Sequence, residues 1–213
     1  MRSTDFSIEI NFKKDISNKI IKLQKEIIKK YGIGKYSPDR PHITLYVNST
    51  DHQNKIKDIL NKILKKYNKF SIKFDGIHAF INDPIFLSTT LVYKIKKTKI
   101  LSKIQKEIFD NISPLRNNNL ETWLFKMNPN MPKKNKEMIR KYGYPYGPED
   151  WIFHTSIISL PNGIKKNEFK KLFNNISKSY NIKTSIRINN IILHTKTKTK
   201  SGKLKTKTIY KLK

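Results

Sequence analysis

The chain alternates between stretches with a two-residue hydrophobic period and stretches with a helical period. Apolar residues at every second position predict half-buried strands, and apolar residues three or four apart predict amphipathic helices. The first strand pattern has four apolar members: Phe6, Ile8, Ile10 and Phe12. The first helical stripe follows it: Ile16, Ile20, Leu23, Ile27 and Tyr31. Gly32 and Gly34 predict the end of that helix.

The same two periods continue to the end of the chain. Further helical stripes occupy 56–67, 101–112 and 169–176. Further strand patterns occupy 43–47, 70–74, 77–80, 85–93, 153–157, 186–193 and 203–212. Asp51 is the expected cap of the second helix, and Gly76 predicts a bulge or bend between two strand patterns. Loops are expected at 37–41 and 82–84, and a hairpin turn at Ser201 and Gly202.

A proline-punctuated stretch divides the chain, with one short helix expected at 135–142. On both sides of it the order is strand, helix and two strands. This repetition predicts one bilobal α+β domain over 1–213, with two duplicated lobes of antiparallel strands at about 1–112 and 151–213 and an insertion at 113–150. Helices on the outer faces would leave the inner sheet faces to line a central cleft.

Two short motifs occupy matching places in these lobes. One is Pro41-His42-Ile43-Thr44-Leu45 and the other is Phe153-His154-Thr155-Ser156-Ile157. Because alternate strand residues face the same way, each motif projects an imidazole and a hydroxyl together. If the two strands lie side by side, a chamber with two imidazoles and two hydroxyls forms between the lobes.

Such a chamber suits the opening of a phosphodiester. One histidine can remove a proton from the attacking hydroxyl or water and the other can protonate the leaving oxygen, because the ordinary imidazole pKa of about 6.5 allows both roles near neutral pH. We assign His42 and His154 as this pair, with the order of acid and base open. Thr44 and Ser156 can donate to the non-bridging phosphate oxygens. This chemistry requires no metal and no cofactor.

The paired His-x-Ser/Thr strands in an α+β chain of this length resemble the two-histidine (2H) phosphoesterase superfamily, which includes 2′-5′ RNA ligase-like proteins and cyclic phosphodiesterases. The resemblance extends to the Phe74-Asp75-Gly76-Ile77 strand and to the run from Tyr142 to Tyr146 before the second motif. It implies a bilobal fold, phosphodiesterase activity and phosphate binding by Thr44 and Ser156. Ser156 stands where Thr is commoner in the family, and the insertion is long, which leaves the substrate open.

Charge bears on the partner. The formal net charge is +29, from 45 Lys and Arg against 16 Asp and Glu. Such an excess favours a polyanionic partner, here RNA, an oligonucleotide or a cyclic nucleotide. An AT-rich genome alone would also enrich Lys, Asn and Ile. Six lysines decorate the expected terminal hairpin: Lys196, Lys198, Lys200, Lys203, Lys205 and Lys207. We interpret them mainly as a solvated edge that discourages strand association, with a secondary role in holding RNA.

Several other residues are candidates for substrate binding. Tyr144, Tyr146 and Trp151 could stack on a nucleobase or pack the insertion onto its lobe, and the sequence leaves both open. Tyr46 shares a face with His42 and could line the chamber, and Arg40 could reach a phosphate. The remaining histidines lack the hydroxyl two residues on and are interpreted as structural: His52, His78 and His194.

The chain has no cysteine, which excludes disulfides and cysteine-based metal sites. No apolar leader or membrane-span-length run is visible, so we expect a cytoplasmic protein without membrane attachment; a nuclear location is also compatible. No obligate protein partner is inferred. The preferred function is hydrolysis of 2′,3′-cyclic phosphate ends or 2′-5′-linked oligonucleotides. The alternatives are a hydrolase of small cyclic nucleotide signals and a catalytically idle, basic RNA-binding module.

Overall fold

The computed structural model describes residues 3–34, 40–83, 86–161, 163–199 and 202–213. Fourteen helices and strands follow one another there: β1 (Thr4–Asn11), α1 (Lys14–Tyr31), β2 (His42–Thr50), α2 (Gln53–Leu64), β3 (Phe70–Phe80), β4 (Thr89–Ile95), α3 (Lys99–Ile112), α4 (Asn119–Met127), α5 (Lys133–Tyr142), β5 (His154–Leu160), α6 (Lys166–Ser179), β6 (Ser185–Ile188), β7 (Asn190–Thr199) and β8 (Gly202–Lys211). The predicted α+β class is confirmed.

The strands form two antiparallel sheets of four. The first has the order β2-β1-β7-β8 and the second the order β5-β4-β3-β6. Each sheet therefore contains strands from both halves of the chain. The lobe bounds expected from sequence, 1–112 and 151–213, do not match these sheets, because β3 and β4 leave the first half to pair with β5 and β6, while β7 and β8 return to β1.

The return crossing is a single residue long. The sequence predicts one strand over 186–193, but β6 pairs with β3 in one sheet, and β7, which begins one residue later, pairs with β1 and β8 in the other. In β6, Ile186 and Ile188 are buried. In β7, after Asn189, the consecutive residues Ile191, Ile192 and Leu193 are all buried. Apolar residues on both sides of Asn189 and Asn190 made the two strands look like one and hid the switch between sheets.

Helices cover the outer faces and leave the inner faces to a cleft. α2 and α3 pack on the first sheet, whereas α1 contacts β5 and α6 contacts β3 in the second. Side-chain hydrogen bonds join the helices to the first sheet. Gln105 of α3 donates to the Leu45 carbonyl of β2 at 3.2 Å, and the Tyr210 hydroxyl of β8 donates to the Lys57 carbonyl of α2 at 3.4 Å. The apolar residues of both sheets and these helices form one buried cluster. This core fixes the two sheets against each other and so fixes the cleft.

Local expectations were confirmed in part. Gly76 has a φ of +86°, and the ladder between β3 and β4 shifts register there, so the predicted bulge is present within one strand. The expected cap Asp51 is wrong, since His52 occupies the cap position without a side-chain bond. The strand expected at 85–93 begins at Thr89, and the loop residues 35–39, 84 and 85 and the turn residue Ser201 lie outside the described residues.

The insertion contains two helices rather than the one predicted. α5 is the short helix expected at 135–142, and α4 was missed because its apolar residues span little more than two turns after an asparagine tract. Leu124, Met131 and Ile139 form a small core between these helices. The insertion is therefore a packed unit, and it provides one wall of the cleft.

Candidate active site

The two motif strands meet across the cleft. β2 is an edge strand of the first sheet, β5 is an edge strand of the second, and the two edges are in contact. His42, Thr44, His154 and Ser156 all line one cavity of about 450 Å³. The two motif strands therefore lie side by side in the structure, which was the condition for a shared chamber in the sequence analysis.

Both catalytic candidates are held in the same way. Nδ1 of His42 bonds the Arg40 carbonyl at 2.7 Å, and Nδ1 of His154 bonds the Ile152 carbonyl at 2.7 Å. A carbonyl only accepts, so each Nδ1 carries a proton and donates it. The neutral rings then have a lone pair on Nε2, the nitrogen left for substrate. Each motif therefore fixes the tautomer of its own histidine through the carbonyl two residues earlier.

The motif strands also share a bulge. The ladder of β2 with β1 skips Leu45, and the ladder of β5 with β4 skips Ile157. Each skipped residue follows the hydroxyl residue of its motif directly. An extra residue in one strand bends it and resets which side chains face which side. The alternation therefore holds from histidine to hydroxyl and fails immediately after.

This bulge overturns the prediction for Tyr46. Its side chain is fully buried, with its ring 4.8 Å from that of Phe109, and it does not line the cavity. Its hydroxyl donates to the Tyr142 carbonyl at 2.6 Å and accepts from Asn48. Burial raises the pKa of this phenol well above its ordinary value. Tyr46 secures the insertion to β2.

A buried carboxylate stands beside His42, and the sequence analysis missed it. Glu9 on β1 is 6% exposed, with its carboxylate 3.8 Å from His42 Nε2, 3.5 Å from His194 Nε2 and 3.6 Å from Arg40 Nη2. Arg40 also donates to His194 Nε2 at 2.9 Å and to Asn11 Oδ1 at 3.0 Å. Arg40 does reach the cavity as proposed, but as part of this charged cluster. His194, interpreted as merely structural, belongs to it.

His154 has a different environment. The ring of Phe80 lies edge-on at 5.0 Å from the imidazole. Burial lowers the pKa of His154; its bond to the Ile152 carbonyl opposes this, and the nearby imidazoles of His42 and His78 add to it. At neutral pH the ring is therefore uncharged, with Nε2 able to accept a proton. The two motif histidines are alike in geometry and unlike in surroundings.

The lowered histidine pKa values predict acid sensitivity of the fold. Burial lowers the pKa of His154 and of His194 from the usual 6.5. The unfolded chain then binds more protons than the folded one between the lowered values and 6.5, so the free energy of unfolding falls as pH drops through that window. Thermal unfolding measured from pH 8 to pH 5 should show this decline, and His154→Gln should flatten part of it. The same slope in wild type and variant would contradict the assignment.

An aromatic wall closes the cavity on the side of the insertion. It includes Phe86, Trp123, Tyr144, Tyr146 and Trp151. Trp151 is almost fully buried, with its ring 5.1 Å from that of Tyr144, so it supports the wall. Tyr144 is half-buried, and half-buried Tyr146 donates its hydroxyl to Asp83 at 3.0 Å. All three predicted aromatics line the cavity and pack against the buried core. Their stacking on a nucleobase stays a prediction.

Trp123 is the aromatic that sequence reasoning missed. It lies on α4, lines the cavity and is 46% exposed. A half-exposed indole at a cavity rim is unusual, because large apolar side chains are normally covered. The available signal was a tryptophan within the proline-punctuated insertion that also carries the aromatic run 142–146.

Two further features concern metals and membranes. Across the described ranges, no group of three or more His, Cys, Asp or Glu side chains is arranged to hold a metal ion. Within the same ranges, no helix combines the length and the apolar character needed to cross a bilayer.

Comparison with known proteins decides the family. The model of the 2′-5′ RNA ligase superfamily matches residues 12–179, most of the chain and both histidine motifs. The chain belongs to the 2′-5′ RNA ligase superfamily. The resemblance to the 2H phosphoesterases is thereby confirmed at the level of the family.

Solved structures show the same fold at low sequence identity. The protein TT0787 of Thermus thermophilus superposes with a TM-score of 0.60 at 10% identity, covering 98% of this chain and 97% of that one. LigT of E. coli complexed with 3′-AMP gives 0.53 at 8% identity, covering 100% and 99%. A protein described as a phosphoesterase gives 0.54 at 9% identity, covering 98% of both chains. No curated protein is significantly similar to the chain in sequence. The bilobal architecture predicted from the repeated motif order is therefore confirmed.

Proposed function

We propose that this superfamily member is a metal-independent phosphodiesterase acting on RNA-type phosphodiesters, either 2′,3′-cyclic phosphate ends or 2′-5′ linkages. The observation that carries the proposal is the matched pair of histidines. Each donates Nδ1–H to the carbonyl two residues earlier at 2.7 Å, and each presents its hydroxyl partner in the same cavity. Two oriented imidazoles can supply the base and the acid of phosphodiester cleavage, and the two hydroxyls can donate to the phosphate.

Within this proposal, we assign the two roles in hydrolysis from the surroundings of the histidines. His154 is the base, because burial keeps it neutral: its Nε2 takes a proton from water, whose oxygen forms the new bond to phosphorus. His42 is the acid, because its Nε2 faces the Glu9 carboxylate, the natural partner of an imidazolium. As the bond from phosphorus to the leaving oxygen breaks, His42 delivers its proton to that oxygen. Thr44 and Ser156 donate to the non-bridging oxygens, where negative charge accumulates.

Nucleotide recognition is supported by the cavity itself. A volume of about 450 Å³ lies in the range of small-ligand sites. The aromatic wall offers stacking surfaces for a base, and the excess of Lys and Arg favours a phosphate-bearing substrate. The structural relative LigT, crystallised with 3′-AMP, is consistent with a nucleotide in this cleft.

The deciding experiment is a cleavage assay with EDTA present. The panel contains 2′,3′-cyclic nucleotides, RNA with a cyclic phosphate end, 2′-5′ oligoadenylate and 3′-5′ RNA, each with wild type and with His42→Ala/His154→Ala. Cleavage by the wild type alone identifies the linkage. Cleavage of only the free cyclic nucleotides would indicate a hydrolase of small signals, and tight binding without any cleavage would indicate an idle binding module.

Trp123→Ala tests base stacking at the rim. Stacking of one base on an aromatic ring contributes about 1–3 kcal/mol, so KM for a nucleotide substrate should rise about tenfold while kcat changes little. Trp123→Phe should restore most of the loss. Steady-state kinetics on the best substrate of the panel measure both constants, and an unchanged KM in Trp123→Ala would remove this residue from the binding site.

A further inference from the structure

The exposed face of the first sheet continues from the catalytic cleft onto the terminal hairpin. Register places Ser7 opposite His194 and His194 opposite Lys207, and it places Asp5 opposite Lys196 and Lys196 opposite Lys205. These rows cross β1, β7 and β8 beside Glu9 and His42. With strands about 4.8 Å apart, three steps from β2 to β8 span roughly 14 Å.

Residues on the opposite side of the sheet show which way this face points. Thr195 bonds Thr206 at 2.5 Å across the hairpin and accepts from Gln53 of α2 at 3.1 Å, so this pair faces the helical layer. Lys196, Lys205 and Lys207 alternate with these threonines and are exposed on the other face. Consistent with this, the charge of Lys207 contributes to the lowered pKa of His194. The lysines therefore share the side on which His42 and Glu9 lie.

Protection of a sheet edge does not account for all three of these lysines. β8 is an edge strand, where lysines commonly prevent aggregation. β7 lies between β1 and β8, however, so Lys196 has no edge to protect. Like charges directly opposite one another destabilise a sheet, and Lys196 stands opposite Lys205. Asp5 offsets part of this charge from β1. A polyanion lying across the face would offset the rest.

We infer that this face, formed by Lys196, Lys205 and Lys207 beside His194, binds the phosphate backbone of a single RNA strand whose reacting end occupies the cleft. The inference rests on the proposed function and extends it from a nucleotide-sized site to an oligonucleotide. Because this face would contact phosphates, affinity should increase with the length of the RNA strand and depend little on its base sequence. Lys198 and Lys203 continue the two strands, but their side chains, like Lys200, lie outside the described part of the chain.

Lys205→Glu/Lys207→Glu tests this surface against a matched variant. Lys22→Glu/Lys25→Glu changes the net charge equally, at exposed positions of α1 on the outer side of the second sheet. Affinity for a 12-nucleotide single-stranded RNA is measured by fluorescence anisotropy across a salt series. Because single strands give a slope of about −0.7 per phosphate contact, losing two contacts should weaken binding about 10–30-fold near 0.1 M salt and make the slope shallower by about 1.4. The α1 variant should bind as wild type does.

Turnover separates this inference from the proposed function. On a 2′,3′-cyclic mononucleotide the hairpin variant should keep wild-type kinetics, whereas KM for the oligonucleotide should rise. Equal weakening of RNA binding in the hairpin and α1 variants would show that only the net charge matters. Wild-type RNA binding by the hairpin variant would show that Lys205 and Lys207 do not contact RNA. Either result overturns the inference. Absence of turnover on every substrate would instead refute the proposed function, while the anisotropy comparison would still decide the surface. Lys205→Gln/Lys207→Gln should show a smaller loss in the same direction.

Discussion

Replacing His154 by alanine is expected to lower kcat by roughly 10²–10⁴-fold, the usual contribution of a positioned acid or base. The loss should fall on kcat rather than KM, because in the proposed mechanism the ring acts on a proton in the transition state, while Thr44 and Ser156 would still hold the phosphate. His42→Ala should show a loss of the same order. The double variant should lose less than the product of the two, since the histidines act on one reaction coordinate.

The control for these variants is His52→Ala. His52 is exposed at the start of α2, away from the cavity, so its replacement should leave turnover unchanged. The pH dependence gives a second readout. Wild type should show a bell-shaped profile whose acid limb lies below 6.5, because burial lowers the pKa of His154, the proposed base. Wild-type turnover in both single alanine variants would disprove the mechanism.

Removing the motif hydroxyls should have the second-largest effect. Thr44→Val and Ser156→Ala each delete a donor to the oxygens on which charge develops, and losses of roughly 10²–10³-fold in kcat are typical for such a donor. Thr44→Val is nearly isosteric, so packing around β2 should be preserved. Single-turnover measurements on the best substrate would isolate the chemical step.

The chain provides a matched control between the two motif residues of β5. Thr155 is fully buried, and its hydroxyl has no hydrogen-bond partner among the residues that the structure describes. Thr155→Val should therefore keep turnover and equal or exceed the wild type in thermal stability, since an unsatisfied buried hydroxyl costs free energy. A loss in Thr155→Val as large as that in Ser156→Ala would mean that strand packing, and not phosphate binding, explains both.

The parts of the site predicted from sequence are those encoded locally. A histidine and a hydroxyl two residues apart on a strand must share a face, so His42 with Thr44 and His154 with Ser156 could be paired without a structure. The repeated element order then predicted two lobes that face each other across a cleft, and it left the meeting of the two motif strands as a condition. The failure at Tyr46 marks the limit of this reasoning, because a bulge one residue after the hydroxyl inverts the alternation and leaves no trace in composition.

The parts that were missed depend on register between distant strands. Glu9 and His194 are 185 positions apart and meet only because β1 pairs with β7. Neither has a local motif, and His194 had been set aside for that reason. Trp123 was missed because its role depends on how the insertion packs. Sequence periodicity predicts faces, whereas the neighbours across a sheet are a property of topology.

The exchange of strands between the sheets also governs the order in which the site can form during synthesis. The antiparallel pair β1–β2, connected through α1, can form early, but β1 acquires its second neighbour only when β7, which begins at Asn190, emerges. The second sheet likewise waits for β6 before β3 is paired on both sides. Contacts between residues so far apart in sequence form slowly, because the chain loses the entropy of closing a long loop before the contacts stabilise it. A ribosome-bound chain that has produced His42 and His154 but not β7 therefore still has an open edge on β1, and this edge closes only when β7 pairs with it.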